Sequence, residues 1–330
     1  MRVLPAGFSE YRWAPSTETI AAELGLDPAL IRRFDGNVPA APSPTAGSAP
    51  VLEALAKVNE YAHGGFPALV DAIAEYAGVE GQNVVLGAGA DDLILLCART
   101  FAGPGDVVAI DVDPTYPLFR IAAHLAGADV GELDPAVTFT CRPNNPTGTL
   151  GPLSSARPLV VDEAYFEYAG ETGVELVGDG VVVLRTFSKA FGLAGARVGY
   201  ALADAATAAE LNRRQAPQPI SGVSAALALA ALSAGPPDVS EQVAERDRCA
   251  AVLGELGLEP LPSWGNFLFV PLEDPEGVGA ALLRQGLVVR VFPDGIRFSV
   301  RDREDDDRLL DALARLHSSF ETSITTLPRG

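Results

Sequence analysis

From about residue 66 onward, short runs of apolar, β-branched residues alternate with stretches whose apolar positions follow a helical period. The predicted strands are Asn83–Leu86, Val107–Asp111, Thr138–Cys141, Leu159–Asp162, Val181–Thr186 and Arg197–Leu202. Helical patterns lie between several of them, for example over Asp91–Phe101 and Tyr116–Leu125, and two more follow over 204–215 and 220–234. Continuous apolar strands separated by helices predict an α/β fold with a mostly parallel sheet between helices.

A second pattern begins near Pro237 and has a different order of elements. It predicts a helix to about Leu256, strand Phe267–Leu272, helix Glu276–Gln285, strands Leu287–Phe292 and Ile296–Val300, and helix Glu304–His317. The Pro/Gly/Ser-rich stretch 35–50 is predicted as a loop, and the tail after Ser318 has no periodicity. We therefore expect a large domain over 45–235 and a small domain made of an N-terminal arm, 1–44, and an α+β part, 236–330.

The composition and charge exclude several classes of protein. With 330 residues, 48% of them apolar, the chain can bury a core without disulfides or a structural metal. Its 24 basic and 43 acidic side chains give a net charge of −19, which repels a phosphate backbone and argues against a nucleic-acid partner. The three cysteines, Cys97, Cys141 and Cys249, form no CxxC pair and are predicted to be small buried side chains. We expect no metal site, and the acidic run Glu304–Asp307 is interpreted as a solvated helix start.

The N-terminus has no apolar leader segment, and no run of 18 apolar residues occurs in the chain. The nearest, Ile220–Ala234, is interrupted by serines and a glycine and is predicted to be a buried helix. These features predict a cytoplasmic protein with no membrane partner.

The lysine usage of the chain singles out one residue. Only Lys57 and Lys189 among the 24 basic residues are lysines, and the others are arginines. An arginine keeps its proton in a protein, whereas a lysine amine can lose it and act as a nucleophile. Lys189 follows a predicted strand and is flanked by hydroxyl-bearing and small residues, the setting that a Schiff-base lysine requires.

A glycine-rich turn, Gly87–Asp92, follows a predicted strand and opens a helix. Glycines let the backbone approach a phosphate, and the N–H groups of the first helical turn can bind it. A dinucleotide-binding turn needs a third glycine where Asp92 stands, so that interpretation is weak. An ordinary strand–helix turn remains the alternative.

Three segments at predicted strand ends, taken together, are specific. They are RPNNPTG (142–148), DEAY (162–165) and SKAFGLAGARVGY (188–200). Strand carboxyl ends of an open α/β sheet are where ligands bind. From about residue 50 to 317 the chain resembles the fold-type I aminotransferases that use pyridoxal 5'-phosphate (PLP), and most of all the histidinol-phosphate aminotransferases.

The resemblance implies roles for five residues around the cofactor ring. Lys189 would hold the cofactor covalently and later move the substrate proton, which makes it the catalytic residue. Asp162 would pair with the pyridinium nitrogen and keep it protonated. Asn145 and Tyr165 would hydrogen-bond the ring's phenolate oxygen, and Tyr116 would stack on the ring.

The resemblance also implies the remaining contacts. The cofactor phosphate would be held by Ala90, Asp91, Thr186, Ser188 and Arg197, and by Tyr61 of a partner subunit, which implies a homodimer with shared active sites. Arg297 would clamp the substrate carboxylate, and Arg290 matches an arginine that relatives place near the site. The small-molecule partners would be an amino donor and a 2-oxo acid, with histidinol phosphate and 2-oxoglutarate as the favoured pair.

Several departures from the family pattern concern the rim of the site and not the cofactor residues. The N-terminal Asn-Glu-Asn-Pro segment of the family is here Gly36-Asn37-Val38-Pro39, without its acid, and the stretch from Asn145 to Asp162 is too short for the helix that relatives carry there. The alternatives are an aromatic or pathway-specific aminotransferase, a phosphothreonine decarboxylase-like PLP enzyme, or a non-catalytic binding protein on this fold. Purely structural roles also remain open for Tyr61, Tyr116, Arg290 and Arg297.

Overall fold

A computed structural model describes residues 4–5, 8, 10–11 and 13–325, with side chains to residue 318. The chain divides into two compact units. The first contains the described residues up to Tyr11, then 41–145 and 150–238, and the second contains the described parts of 12–40, 146–149 and 239–330. Within the described residues, no helix combines the length and the apolar character needed to span a bilayer.

The first unit is built on a seven-stranded sheet. Its strands are β2 (Val84–Gly87), β3 (Val107–Ile110), β4 (Asp129–Val130), β5 (Val137–Cys141), β6 (Leu159–Asp162), β7 (Val181–Thr186) and β8 (Gly199–Leu202). They lie in the order β2-β8-β7-β6-β5-β3-β4, and neighbouring pairs from β7 through β4 are parallel, while β8 is antiparallel to both of its neighbours. The predicted α/β fold with a mostly parallel sheet is confirmed.

Helices cover this sheet because its central strands have no polar face. The helices of this unit are α2 (Ala49–Ala56), α3 (Pro67–Ala77), α4 (Ala90–Phe101), α5 (Leu118–Ala126), α6 (Phe166–Ala169), α7 (Ala205–Arg214) and α8 (Gly222–Ser233). Every residue of β5, β6 and β7 is buried. Since side chains alternate between faces, Phe139, Cys141 and Leu184 enter one core cluster, whereas Val161 and Val183 enter the other.

One strand of this unit begins later than predicted. The apolar run from Arg197 to Leu202 predicts one strand, but the strand begins only at Gly199. Arg197 has φ 49°, in the left-handed region, and belongs to the turn that precedes the strand. A side chain other than glycine is uncommon there, and such residues cluster at functional sites.

The second unit contains a three-stranded antiparallel sheet and a two-stranded parallel one. The first has the order β11 (Arg290–Phe292), β12 (Gly295–Ser299), β9 (Phe267–Pro271), and the second pairs β1 (Arg32–Arg33) with β10 (Leu287–Val288). Its helices are α1 (Thr17–Leu24), α9 (Ser240–Glu255), α10 (Pro275–Leu283) and α11 (Arg303–Thr325).

Three predictions for this unit were wrong. The acidic run Glu304–Asp307 was interpreted as solvated, but Asp305 and Asp306 are buried, and the Asp306 carboxylate accepts from the backbone N–H of Arg301. The predicted strand Leu287–Phe292 is divided at Val289 between the two sheets. An unbroken apolar run carries no information about which strand each half will pair with. The helix predicted to end at His317 continues to Thr325, because the segment contains no helix-stopping glycine or proline before Pro328.

Candidate active site

Strands β5, β6 and β7, the start of α4 and the turn after β7 enclose one cavity in the first unit. Its lining residues are Ala90, Asp91, Tyr116, Cys141, Asn145, Asp162, Ala164, Tyr165, Thr186, Ser188, Lys189 and Arg197. Ten of the eleven residues predicted to bind the cofactor are therefore brought together, and Tyr61 is the exception. Sequence reasoning missed Cys141 and Ala164, although Cys141 ends β5 and is the register partner of Asp162.

Strand register explains why segments so distant in the sequence meet here. In the parallel sheet, Cys141 lies beside Asp162, and Asp162 lies beside Leu184. The loops that leave these strands emerge at the same edge, where a doubly wound sheet binds ligands. β5 and β6 are joined without an intervening helix, as the short spacing between Asn145 and Asp162 predicted.

Asp162 is the buried acid of the cavity. It is 3% exposed, and its Oδ1 accepts a hydrogen bond from the backbone N–H of Ala164 at 3.1 Å. Burial, reinforced by the negative charge of Asp91, raises the pKa of Asp162 to about 7, although the Ala164 N–H and the charge of Lys189 act in the opposite direction. A positively charged ligand group in the cavity would therefore stabilise the ionised carboxylate of Asp162.

Lys189 is the only lysine among the lining residues. Its Nζ lies 5.6 Å from the centroid of the Tyr165 ring. Cys141 is no rival nucleophile, because burial and the nearby Asp162 raise the pKa of its thiol well above the usual value.

A cradle of hydrogen-bond donors lies at the start of α4. Gly89 has φ 85°, and a Cβ there would lie 2.7 Å from Nη2 of Arg197, so the missing side chain leaves room beside the guanidinium. Arg197 Nη2 contacts Asp91 Oδ2 at 3.0 Å, and its Nη1 donates to Ser188 Oγ at 3.4 Å. The first N–H groups of a helix have no partner within the helix and favour an anion. The hydroxyls of Thr186, at the end of β7, and of Ser188, in the turn that follows, are close by, since Thr186 Oγ1 donates to Ser188 Oγ at 2.9 Å.

Gly199 also keeps this cradle open. A Cβ at Gly199 would lie 2.7 Å from the carbonyl oxygen of Arg185 and 3.1 Å from the backbone nitrogen of Ala90. The start of β8 therefore approaches the backbone of the cradle more closely than any side chain would allow.

Tyr116 joins the cradle to the cavity wall. Its hydroxyl donates to Asp91 Oδ1 at 2.9 Å, and its ring packs edge-on against Phe119 with centroids 6.1 Å apart. Burial raises the pKa of Tyr116 far above the usual value, so the hydroxyl remains a donor.

Tyr61 does not line this cavity. It is 77% exposed and borders a separate depression, together with Lys57 and residues 218–223. Three further apolar side chains of the same segment are also exposed, namely Leu52 at 57%, Leu55 at 49% and Val58 at 73%. This spacing of three residues produces an apolar stripe along and just beyond α2.

The two predicted substrate residues lie in the second unit, directly opposite each other on β11 and β12. Arg297 is 6% exposed, and its Nη2 donates to the carbonyl oxygen of Asp35 at 2.8 Å. Its guanidinium carbon lies 5.5 Å from the centroid of the Phe267 ring. Arg290 is exposed. Like charges at directly opposed positions are unfavourable, and an anion bound between them would remove that cost.

The chain matches the family model "Aminotransferase class I and II" over residues 36–136 and 127–313. It is 38% identical over 306 residues to a histidinol-phosphate aminotransferase of Gloeobacter violaceus, covering 81% of this chain and 85% of the relative. It is 34% identical over 321 residues to an aromatic amino acid aminotransferase of Rhodococcus opacus, covering 86% and 89%. Among solved structures, the histidinol-phosphate aminotransferase of Sinorhizobium meliloti in complex with pyridoxal 5'-phosphate matches with a TM-score of 0.79 and 25% identity, covering 94% of this chain and 96% of that one.

Proposed function

Since this chain belongs to the class I and II aminotransferases, we propose that its cavity holds pyridoxal 5'-phosphate on Lys189 and transfers an amino group between an amino donor and a 2-oxo acid. The observation that carries the proposal is the convergence of Lys189, Asp162 and Arg197 on one cavity. The space kept free by Gly89 between Arg197 and the start of α4 suits the phosphate of this cofactor. When bound, the cofactor supplies a carbonyl carbon for covalent attachment and a protonated ring that withdraws electrons from the substrate's Cα.

Five residues that line the cavity then have distinct roles toward the cofactor ring and the substrate. Asp162 would hold the ring nitrogen and keep it protonated. Lys189 would supply the amine that holds the cofactor and, with that amine free, would move a proton at the substrate Cα. Tyr116 would hold the ring by stacking, and Asn145 and Tyr165 would offer hydrogen bonds to its phenolate oxygen.

The phosphate is held at the cradle by charge and by backbone dipoles. Arg197 provides the fixed positive charge, which the chain's net charge of −19 makes necessary for any anionic ligand. The hydroxyls of Thr186 and Ser188, together with the N–H groups at the start of α4, complete the set of donors.

The donor proposed is histidinol phosphate, with 2-oxoglutarate as the acceptor. The relative of 38% identity bears that activity in its name, and the Arg290–Arg297 pair supplies two positive charges for a phosphate or carboxylate. The relative of 34% identity supports an aromatic amino acid as the second candidate donor. A screen of purified enzyme with histidinol phosphate, phenylalanine, tyrosine and glutamate as donors decides between them. A kcat/KM for histidinol phosphate at least roughly tenfold above the aromatic values, a difference of about 1.4 kcal/mol, supports the proposal, and the reverse order favours the second candidate.

Arg290→Ala tests whether the Arg290–Arg297 pair binds the anionic group of the donor. We expect KM for histidinol phosphate to rise by roughly 10- to 100-fold, because one charge-assisted contact is worth about 1.5–3 kcal/mol. KM for glutamate should change far less. Arg284→Ala, which removes another exposed arginine of the same unit, is the matched control and should leave both constants unchanged. Equal effects of Arg290→Ala on both donors, or none, would mean that Arg290 does not bind phosphate.

The apolar stripe of Leu52, Leu55, Val58 and Tyr61 supports a homodimer, in which Tyr61 reaches the cofactor phosphate of the partner subunit. We expect sedimentation equilibrium to give twice the chain mass of 34.3 kDa. Tyr61→Phe should keep that mass but weaken PLP binding by roughly tenfold, the loss of one hydrogen bond to a charged group of about 1.5 kcal/mol. Leu55→Glu should yield monomers with the same weakened binding. A monomeric wild type with full activity would contradict the proposal.

A further inference from the structure

Three charged residues form a row directly behind the cavity. Arg142, Glu163 and Arg185 each stand one position beyond the register row of Cys141, Asp162 and Leu184. The backbone N–H of Arg142 bonds to the carbonyl oxygen of Asp162, and that of Glu163 bonds to the carbonyl oxygen of Leu184, so the row continues the sheet ladder. Because side chains alternate, this row points to the face opposite the cavity. Its charges alternate as plus, minus and plus across three strands.

Two members of the row, Glu163 and Arg185, form a buried ion pair. The side chain of Arg185 is 3% exposed and that of Glu163 is 0% exposed, and Nε and Nη2 of Arg185 each lie 3.1 Å from Oε2 of Glu163. The Phe166 ring covers the guanidinium, with its centroid 3.5 Å from Cζ. Glu163 is the carboxyl group in direct contact with Arg185, and burial raises the pKa of the neighbouring Glu167 to about 8.

The segment 171–173, here called the strap, binds every member of the row. Glu163 Oε1 accepts from the N–H of Gly173 at 2.5 Å, and its Oε2 accepts from Thr172 Oγ1 at 2.8 Å. Arg185 Nη2 donates to the same hydroxyl at 2.8 Å. Arg142 forms an ion pair with Glu171 of the strap. The strap therefore connects the carboxyl ends of β5, β6 and β7, which line the cavity.

We propose that Glu163 is a positioning residue, and that through Arg185 and the strap it fixes the distance between Asp162 and the turn that carries Lys189. Glu163 is covalently adjacent to Asp162, and Arg185 is adjacent to Thr186, the last residue of β7 before that turn. A displacement of about 1 Å at a reacting group can cost about 10²-fold in rate, so the spacing of two strand ends matters to the chemistry. The inference rests on the proposed function, because Asp162 and Lys189 matter together only toward the cofactor.

Glu163→Gln in the PLP-loaded enzyme is the first test. It removes the charge but leaves an oxygen that can accept from Gly173. We expect kcat to fall about 10- to 100-fold, with a smaller change in KM. We also expect the pH midpoint of the visible absorbance of the Lys189-bound cofactor to shift by about 0.5 pH unit or more, because this midpoint reports the surroundings of the lysine nitrogen.

Thr172→Val is the milder second variant, available if Glu163→Gln fails to fold, since it removes only the hydroxyl that links Glu163, Arg185 and the strap. We expect it to shift the midpoint in the same direction by a smaller amount. Val183→Ala is the matched control, because it creates a cavity on the same strand and the same face without touching the row. It should lower Tm and leave kcat and the midpoint unchanged.

The outcomes separate the inference from the function on which it rests. If the wild type shows no cofactor absorbance, the proposed function fails. If the wild type shows the absorbance, and Glu163→Gln or Thr172→Val lowers Tm but leaves kcat and the midpoint as in Val183→Ala, the row is only structural and the inference is overturned.

Discussion

Borohydride reduction of the PLP-loaded enzyme, followed by peptide mapping, is expected to place the pyridoxyl group on Lys189 alone. Lys189 is the only lysine that lines the cavity. Lys189→Ala should abolish transamination, because no other lining side chain offers an amine to attach the cofactor and carry the Cα proton. We expect the loss to exceed roughly 10⁴-fold, the upper range for removing a positioned proton-transfer group alone.

The chain provides a matched control for this experiment. Lys57 is its only other lysine and borders the separate depression near Tyr61. Lys57→Arg should retain full activity and the full reduced label. Lys189→Arg should retain the positive charge but lose both the label and the activity, since arginine cannot give up its proton. Label on Lys57 would overturn the assignment of the whole site.

The cofactor cavity was predictable because its residues stand at the ends of strands that the apolar pattern locates well. β6 and β7 begin and end at the predicted residues, and β5 begins one residue earlier. In a parallel sheet, strand order and register then bring the segments after these strands to a common edge. Lys189 also carries a compositional signal, as one of two lysines in an arginine-rich chain.

The row behind the cavity could not be predicted in the same way. The members of the row lie in or beside the segments that predict the cavity. Their alignment, however, depends on the register of three strands. The strap that binds these side chains is a loop, and its sequence has no periodic pattern of apolar residues. Similarly, the pairing of Arg290 with Arg297 depends on where β10 ends and β11 begins, and the apolar run over 287–292 conceals that break.

Asp162→Asn is expected to leave the fold intact and to lower both half-reactions by roughly 100-fold or more. The carboxylate keeps the ring nitrogen protonated, and the loss of about two pKa units of that stabilisation corresponds to about 2.7 kcal/mol. The measurement is the single-turnover rate with donor and with acceptor. Cys141→Ser, at the neighbouring position of the cavity wall, is the control and should retain near-normal rates.

Asp162→Asn should also raise the stability of the cofactor-free protein at high pH, although it lowers the reaction rates. In the folded state the pKa of Asp162 is raised to about 7 from its usual 3.8, so the folded state retains a proton that the unfolded chain has already lost. The free energy of unfolding therefore falls as the pH rises through this window, and the full cost of the buried charge is reached above about pH 7. The neutral amide of the Asp162→Asn variant carries no such cost, so the Tm of the cofactor-free variant relative to wild type should rise between about pH 5 and pH 8.5. A relative Tm that is flat or falls over this range would contradict the raised pKa of Asp162. Near-normal single-turnover rates would show that Asp162 is a structural residue. A variant that is more stable without cofactor and nearly inactive with it would identify Asp162 as a charge buried for catalysis, at a cost in stability that the bound cofactor offsets.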